Sequence, residues 1–472
     1  MKSAQQQVST EKGGFTMANS KSGKLPFSLW LNLIMFGFMG QVAWAVENNF
    51  FNLYMLKVGG DMHDISVMIA VSAIVAFLTT LFMGSLSDKI NKRKIFICGG
   101  YILWGLTVIA FAVINPEFIA KIMGTSVGAA VSATVTLVII MDGLMTFMGS
   151  TSNDAAFNAW VTDIGTSSNR AKIESLLAII PVVATLAVTG SFGAIFGDSK
   201  EVGQREYSLY FLILGGIVTV CGIIGIFTIK ESRTNVKTTA GFVETLVYGF
   251  KPNVIKNNKR LYISLVCMGI FSVSSQVFFP YIFIYLDKHL DLSELGSKLN
   301  VGTIILLVAY VAVMVGFLVY IISMSDKKGK APYLFPAAIV YLIGLVCVFF
   351  ADDNILYFIF AALATIVGYG LLMIMLGAAV RDFTPEDKTG QLQGIRMIFS
   401  VLLPMLIGPT VAENISEKYS VTTYANDYGE ILATPAPHIF LASAAIGLLI
   451  FIPLVFLAKE FKKAQKNTEV ED

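Results

Sequence analysis

Long apolar runs recur along the whole chain, and short polar stretches that carry most of the charge separate them. Each run is long enough to cross a bilayer core of about 30 Å. The pattern predicts an all-α membrane protein with twelve transmembrane helices, at roughly 27–54, 65–87, 95–114, 131–160, 173–196, 208–229, 262–286, 301–323, 332–350, 354–380, 392–411 and 438–458. The fourth region is apolar from about 128 to 160, longer than one span needs, so we expect part of it to form an interfacial turn.

Basic residues alternate between the loops in a way that fixes an orientation. With the N-terminus inside, the inside segments hold 27 of the 34 Lys and Arg residues and the outside loops hold 7. Such a bias over short loops indicates a plasma (inner) membrane protein with both termini in the cytoplasm. Residues 1–24 are polar without a cleavable-signal pattern, so we expect a disordered cytoplasmic tail, and residues 459–472 form a second tail.

Weak internal similarity predicts two halves of six helices, residues 25–229 and 261–458. Val161-Thr162-Asp163-Ile164 resembles Val380-Arg381-Asp382-Phe383, and other loop pairs repeat at similar offsets. Parallel repeats of this kind build one large membrane fold. The linker at 230–260 carries seven basic residues and the stretch GFVETLVYGF, which we interpret as an amphipathic helix on the membrane surface. An unstructured linker is the alternative.

Composition excludes several classes of protein. The chain is 55% hydrophobic and 14% charged, too apolar for a soluble domain, and its net charge of +2 gives no reason to expect nucleic acid. The four cysteines lack metal-ligand spacing and are interpreted as small buried hydrophobes. No phosphate loop or catalytic constellation is visible, so we expect no enzyme, no cofactor and no metal site. We expect a monomer.

Residues 84–94 read GSLSDKINKRK and resemble the signature loop of the major facilitator superfamily. The resemblance implies two six-helix halves that rock around a central cavity. Gly84 would let two helices approach closely, and Asp88 would cap a helix or pair with a basic residue to hold the inside shut. Lys92 and Arg93, with Lys94, would face anionic lipid headgroups.

A partial copy of this loop, with Asp326 and Lys327, lies at the equivalent place in the second half. We therefore expect Gly84, Asp88, Lys92, Arg93, Asp326 and Lys327 to form the gate. A gate of this kind does not identify the substrate.

The stretch NDAAFNAWVTD at 153–163 is similar to the fourth helix and following loop of glycoside–pentoside–hexuronide cation symporters. That group implies a sugar substrate and a coupling cation. Asp154 matches the fourth-helix carboxylate of the group. The second-helix cation-binding aspartates are replaced by Ala76 and Thr80, and the first-helix sugar-binding aspartate by Gln41. A proton is therefore favoured over sodium.

Polar side chains inside the spans are candidates for substrate contact. Gln41, Trp44, Asn48 and Asn52 recur at helical spacing on the first helix. An aromatic ring beside amides suits a pyranose, because the ring stacks on its apolar face and the amides bond its hydroxyls. The alternative is polar contact between helices.

Carboxyl groups in the spans are candidates for proton coupling, because ionisable residues there mark functional sites. Asp154 comes first, with Asn158 one turn away, followed by Asp142 and by Glu47, which could also be interfacial. On the seventh helix, Gln276 and Phe279 share a face, Pro280 is expected to break the helix, and Tyr285 is expected in an aromatic belt.

Together these residues predict cation-coupled uptake of a sugar, glycoside or oligosaccharide. The expected partners are that solute, a proton and the lipid bilayer. One rival is an exporter of drugs or lipids, which would have a larger and more apolar cavity. The other is a receptor or scaffold that has lost transport, which would tolerate loss of the intramembrane carboxylates.

Overall fold

The computed structural model describes residues 26–90, 92–165, 170–196, 203–230, 247–289, 301–328, 331–351, 354–385, 388–426 and 428–471. The predicted tail at 1–24 and most of the predicted amphipathic helix, 241–246, lie outside these residues. The side chains of Asp326 and Lys327 also lie outside the described part.

Within these ranges the fold is almost entirely helical, as the apolar pattern predicted. Eleven helices are long and apolar enough to cross a membrane, and a bent pair makes a twelfth. The helices are α1 Phe27–Lys57, α2 Met62–Ile90, α3 Arg93–Phe111, α4 Pro116–Met123, α5 Val127–Ile164, α6 Arg170–Phe196, α7 Gln204–Thr228, α8 Pro252–Asn257, α9 Lys259–His289, α10 Val301–Lys328, α11 Ala331–Phe349, α12 Ile355–Asp382, α13 Leu392–Tyr419 with its first turn from Thr389, α14 His438–Leu448 and α15 Phe451–Glu471. The predicted all-α membrane fold is confirmed.

The fourth predicted span contains no interfacial turn, which corrects that expectation. Val127–Ile164 is one helical run of 38 residues with a π-helical segment at Ser150–Phe157. A separate short amphipathic helix, α4, lies before this run. The Asn115 side chain caps α4 by accepting from the Phe118 N–H at 2.9 Å, and Gly124 ends it at φ 65°.

The chain divides into two compact units. The first comprises Met1–Val46, Leu78–Val113 and Leu144–Ala240, and the second comprises Glu47–Phe77, Ile114–Gly143 and Gly241–Asp472. The predicted six-helix halves at 25–229 and 261–458 remain a prediction.

Close packing of α3 on α7 organises the first unit. A Cβ placed on Gly215 would lie 2.7 Å from the backbone oxygen of Gly105, and one on Gly222 would lie 2.7 Å from the backbone nitrogen of Ile102. Small residues let the two backbones approach, which is how helices associate where lipid offers no hydrophobic driving force. Tyr101 and Trp104 are fully buried on the same helix.

In the second unit, α9 packs against α13 and α14. A Cβ on Gly408 would lie 2.6 Å from the backbone carbon of Gln276, so α9 and α13 meet at that glycine. The Ser274 and Ser443 hydroxyls each donate to the other residue's backbone oxygen at 2.7 Å. Buried hydroxyl pairs of this kind fix α9 against α14.

A β-hairpin joins α13 to α14, with strand β1 at Thr423–Ala425 antiparallel to β2 at Ile431–Ala433. The Asn426 side chain accepts from the N–H groups of Tyr428 and Glu430, which closes the turn. The hairpin is fixed to the end of α9, because Lys288 lies 4.7 Å from the Tyr424 ring centroid and His289 Nε2 lies 2.7 Å from the Pro435 oxygen.

Replacing Gly215 with valine is expected to separate α3 from α7, because the new side chain would meet the backbone of the facing helix. The cost is about 1–3 kcal/mol, as for other overpacked sites. It should appear as a lower apparent melting temperature of the purified protein. Gly216→Val is the matched control, since a Cβ there meets no heavy atom within 4 Å. Equal melting temperatures for the two variants would contradict this packing.

Candidate functional site

A small polar pocket lies inside the second unit. It is lined by Glu47, Asn48, Asn52, Ile69, Ser72, Asp142, Gln276, Phe279, Pro280 and Met405. The structure therefore brings together five of the predicted site residues: Glu47, Asn48, Asp142, Gln276 and Phe279. Carboxyl groups, amides, a hydroxyl and an aromatic ring around one small cavity form a hydrogen-bonding site for a polar solute.

Departures from regular α-helix place the lining residues. In α1, residues Glu47–Phe51 form a π-helical segment, and in α9, residues Phe279–Tyr281 form a 3₁₀ turn. The predicted break at Pro280 is confirmed. Irregular backbone at membrane depth is tolerated where it lines a cavity or is buried in protein.

Two carboxyl groups are buried at this pocket. Asp142 is 1% exposed and accepts a hydrogen bond from the Ser72 hydroxyl through Oδ2. Its Oδ1 has no hydrogen-bond partner in the described part of the chain. Glu47 is 7% exposed and lines the same pocket. Buried carboxyl groups in spans form proton relays in pumps and transporters.

The contacts of Asn52 differ from those expected of a substrate-binding amide. Its Nδ2 donates to the backbone oxygens of Asn48, at 3.1 Å, and of Pro280, at 3.0 Å. The neighbouring Tyr281 is fully buried, and its hydroxyl lies 2.8 Å from the Ser66 Oγ. The first two spans are thus bonded to the broken part of α9.

Other site residues predicted from the sequence belong to the first unit. Trp44 lies 5.0 Å from Trp104 between ring centroids, and Gln41 is partly exposed one turn before it. Asp154 accepts from the Ser150 hydroxyl at 3.1 Å, and the exposed Asn158 donates to the Asp154 backbone oxygen at 3.2 Å. None of these four predicted residues is among those that line the pocket of the second unit. Their part in one cavity with Asn48 and Gln276 remains a prediction.

The predicted gate loop forms an ion-pair network inside the first unit. Arg93 pairs with Asp88, with Asp163 at 3.2 Å from Nε, and donates to the Ser87 hydroxyl at 2.6 Å. Arg93 is 6% exposed, so the expectation that it faces lipid headgroups is wrong, whereas Lys92 is exposed. A guanidinium can serve three acceptors at once, and an ammonium is less suited to that geometry.

Two further expectations are corrected, and two residues were missed. A Cβ on Gly84 would meet no heavy atom within 4 Å, so the described residues show no close helix approach there. Tyr285 is buried and stacks on His289 at 4.5 Å, and does not form part of an exposed aromatic belt. Ser72 and Ser66 were missed, because small hydroxyl residues are common in spans and give no signal by themselves.

Removal of the Arg93 side chain should take away its ion pairs with Asp163 and Asp88. We expect Arg93→Ala to destabilise the purified protein by roughly 3 kcal/mol, the lower end for breaking a buried pair, because Asp88 is partly exposed. Arg93→Lys should be intermediate. Lys92→Ala, one residue away and exposed, is the control. Thermal denaturation that does not separate Arg93→Ala from Lys92→Ala would show that the network is not stabilising.

Comparison with known proteins agrees with this architecture. The profile of the Major Facilitator Superfamily matches residues 29–409, and again 294–472. A bacterial homologue of the human lysosomal transporter Spinster, inward-facing and unoccupied, superimposes with a TM-score of 0.62 at 12% identity, covering 93% of this chain and 98% of that one. The nucleoside transporter NupG gives 0.59 at 13% identity, covering 91% and 98%.

Identities this low show a shared fold alone, and no curated protein matches the sequence. The family profile, by contrast, covers most of the chain. The chain is a multi-pass membrane protein that belongs to the Major Facilitator Superfamily of transporters.

Proposed function

We propose that the protein takes up a sugar or glycoside together with protons by alternating access. The observation that carries this proposal is the pocket of the second unit, where amides and buried carboxyl groups line the same small cavity. The resemblance of residues 153–163 to glycoside–pentoside–hexuronide symporters supports the same substrate class.

The lining chemistry favours a neutral, hydroxylated solute. Asn48 and Gln276 supply amides that can donate to and accept from hydroxyl groups, and Phe279 supplies a ring face. The pocket is small, which favours a small solute over an oligosaccharide. Its polar lining also disfavours the drug or lipid exporter. A nucleoside shares the hydroxyls and the ring, so nucleosides belong in any substrate panel.

Coupling is assigned to the carboxyl groups. Asp142 and Glu47 share the pocket, so solute and proton would meet in one cavity. Asp154, in the first unit, is the other candidate coupling residue. Protons are favoured over sodium because Ala76 and Thr80 stand where related symporters have cation-binding aspartates.

The orientation completes the proposal. The charge bias of 27 to 7 supports a plasma-membrane protein with both termini in the cytoplasm, and in that orientation the β-hairpin lies outside. Two six-helix halves rocking about the cavity in a monomer would then open the pocket to either side.

Asp142→Asn should abolish accumulation driven by a pH gradient, because an amide cannot take up and release the proton. The variant should still exchange labelled for unlabelled solute across proteoliposomes at equal concentrations, since its shape is retained. Wild-type vesicles loaded with a panel of glycosides and nucleosides supply the reference.

Asp154→Asn, measured in parallel, shows which carboxyl group carries the proton. Full accumulation by Asp142→Asn would remove Asp142 from the coupling role. Failure of the wild-type protein to take up any glycoside would refute the substrate class, and uptake of nucleosides alone would replace it.

A further inference from the structure

Asn52 occupies a place that the proposed function does not explain. It lines the pocket, yet both N–H groups of its amide can be used by backbone oxygens, those of Asn48 and Pro280. Only its Oδ1 is then available to a solute. The bond to Pro280 joins α1 to α9 at the 3₁₀ turn, where the helix is already broken.

Beyond Pro280, further bonds fasten the first two spans to the second half of the chain. The Tyr281 hydroxyl lies 2.8 Å from Ser66 Oγ and 3.3 Å from the Met62 oxygen on α2, and 3.4 Å from the Pro409 oxygen on α13. Tyr281 therefore connects α2, α9 and α13 within a fully buried site.

Two more contacts join the start of α2 and the loop before it to α13 and the hairpin. His63 Nδ1 lies 2.7 Å from Glu413 Oε1, which joins the start of α2 to α13. A Cβ on Gly59, in the loop between α1 and α2, would lie 2.9 Å from the Tyr428 ring. In the orientation proposed above, all these contacts lie at the outer end of the helices.

We propose that Asn52 is a positioning residue that holds the outer side of the pocket shut through the Pro280 carbonyl. The Asn52–Pro280 bond and the Ser66–Tyr281 bond are here called the clasp. The clasp must open before solute can enter from outside, so this inference rests on the proposed function. It assigns Asn52 to closure of the site, in place of the substrate contact that its helical spacing indicates.

The geometry also links opening of the clasp to binding of solute in the pocket. Asn52 lines the pocket and also takes part in the outer closure, through its bond to Pro280. A solute hydroxyl that accepts from the Asn52 amide takes a donor away from the Pro280 carbonyl. Solute that binds from outside would then compete with the Asn52–Pro280 bond. The bond would form again, and the outer side would close, once the solute hydroxyl accepts its hydrogen bond from another group. A solute can shift the equilibrium of a two-state gate only by the difference between its interactions with the open and the closed state.

The experiment measures how fast the pocket is reached from outside, with no solute present. The four native cysteines are replaced by serine, and Ile69→Cys on α2 serves as the reporter because Ile69 lines the pocket. Intact cells are treated with a membrane-impermeant maleimide. Asn52→Leu removes the donors at similar volume, so labelling of Ile69→Cys should accelerate about fivefold to tenfold, the effect of losing one buried hydrogen bond.

Three controls separate the clasp from a merely structural role. Val421→Cys, 91% exposed beside the hairpin, should label equally in both backgrounds and from outside. In a separate variant that keeps Cys267, this cysteine should stay unlabelled by a permeant maleimide, because it is fully buried in α9. Asn48→Leu keeps the backbone oxygen that Asn52 uses, so it should weaken solute binding and leave the Ile69→Cys rate unchanged.

Tyr281→Phe removes the hydroxyl of the second clasp bond and should accelerate labelling in the same direction. An unchanged rate in both Asn52→Leu and Tyr281→Phe would overturn the proposal. Equal acceleration of labelling at Cys267 would also overturn it, because that result would indicate unfolding. Equal acceleration of Ile69→Cys labelling in Asn48→Leu would overturn it too, because the effect would then come from loss of polarity in the pocket. Labelling is measured without solute. Failure of glycoside uptake would therefore count against the proposed function only, and the labelling rates would still test the clasp.

Discussion

Polar groups inside a membrane span have no surrounding water, so each must meet a partner in the protein or a solute in a cavity. An ionisable side chain there costs roughly 2.5–3.5 kcal/mol on insertion scales. Asp142, Glu47 and the amides beside them meet that requirement by sharing one pocket in the second unit. Ser72 bonds one oxygen of Asp142, which leaves the other oxygen to the cavity. The proposed coupling of solute to proton depends on this sharing.

The same requirement accounts for the irregular backbone. The π-helical segment of α1 and the 3₁₀ turn of α9 both border the pocket, where carbonyl groups released from regular helix can bond side chains. Asn52 does so for Pro280. A transporter needs contacts that hold in one state and open in another, and a few side-chain bonds at a broken helix supply them more readily than continuous packing does.

The spans and the position of the helix break could be predicted from the sequence, because length, hydropathy and proline act locally. The π-helical segment of α1 could not. Regular helical spacing predicts one face with Gln41, Trp44, Asn48 and Asn52, and the segment that begins at Glu47 changes the phase of that face. Likewise, the loop at 84–94 shows several basic residues, and only tertiary structure shows that Arg93 is the buried one, paired with the distant Asp163.

The most direct test of a shared site for solute and proton is to record lumenal pH in proteoliposomes that contain the wild-type protein and a trapped pH-sensitive dye. With no imposed gradient and no sodium, addition of a transported glycoside outside should acidify the lumen as each solute brings a proton with it. Entry of the glycoside without acidification, or entry that requires sodium, would contradict the account.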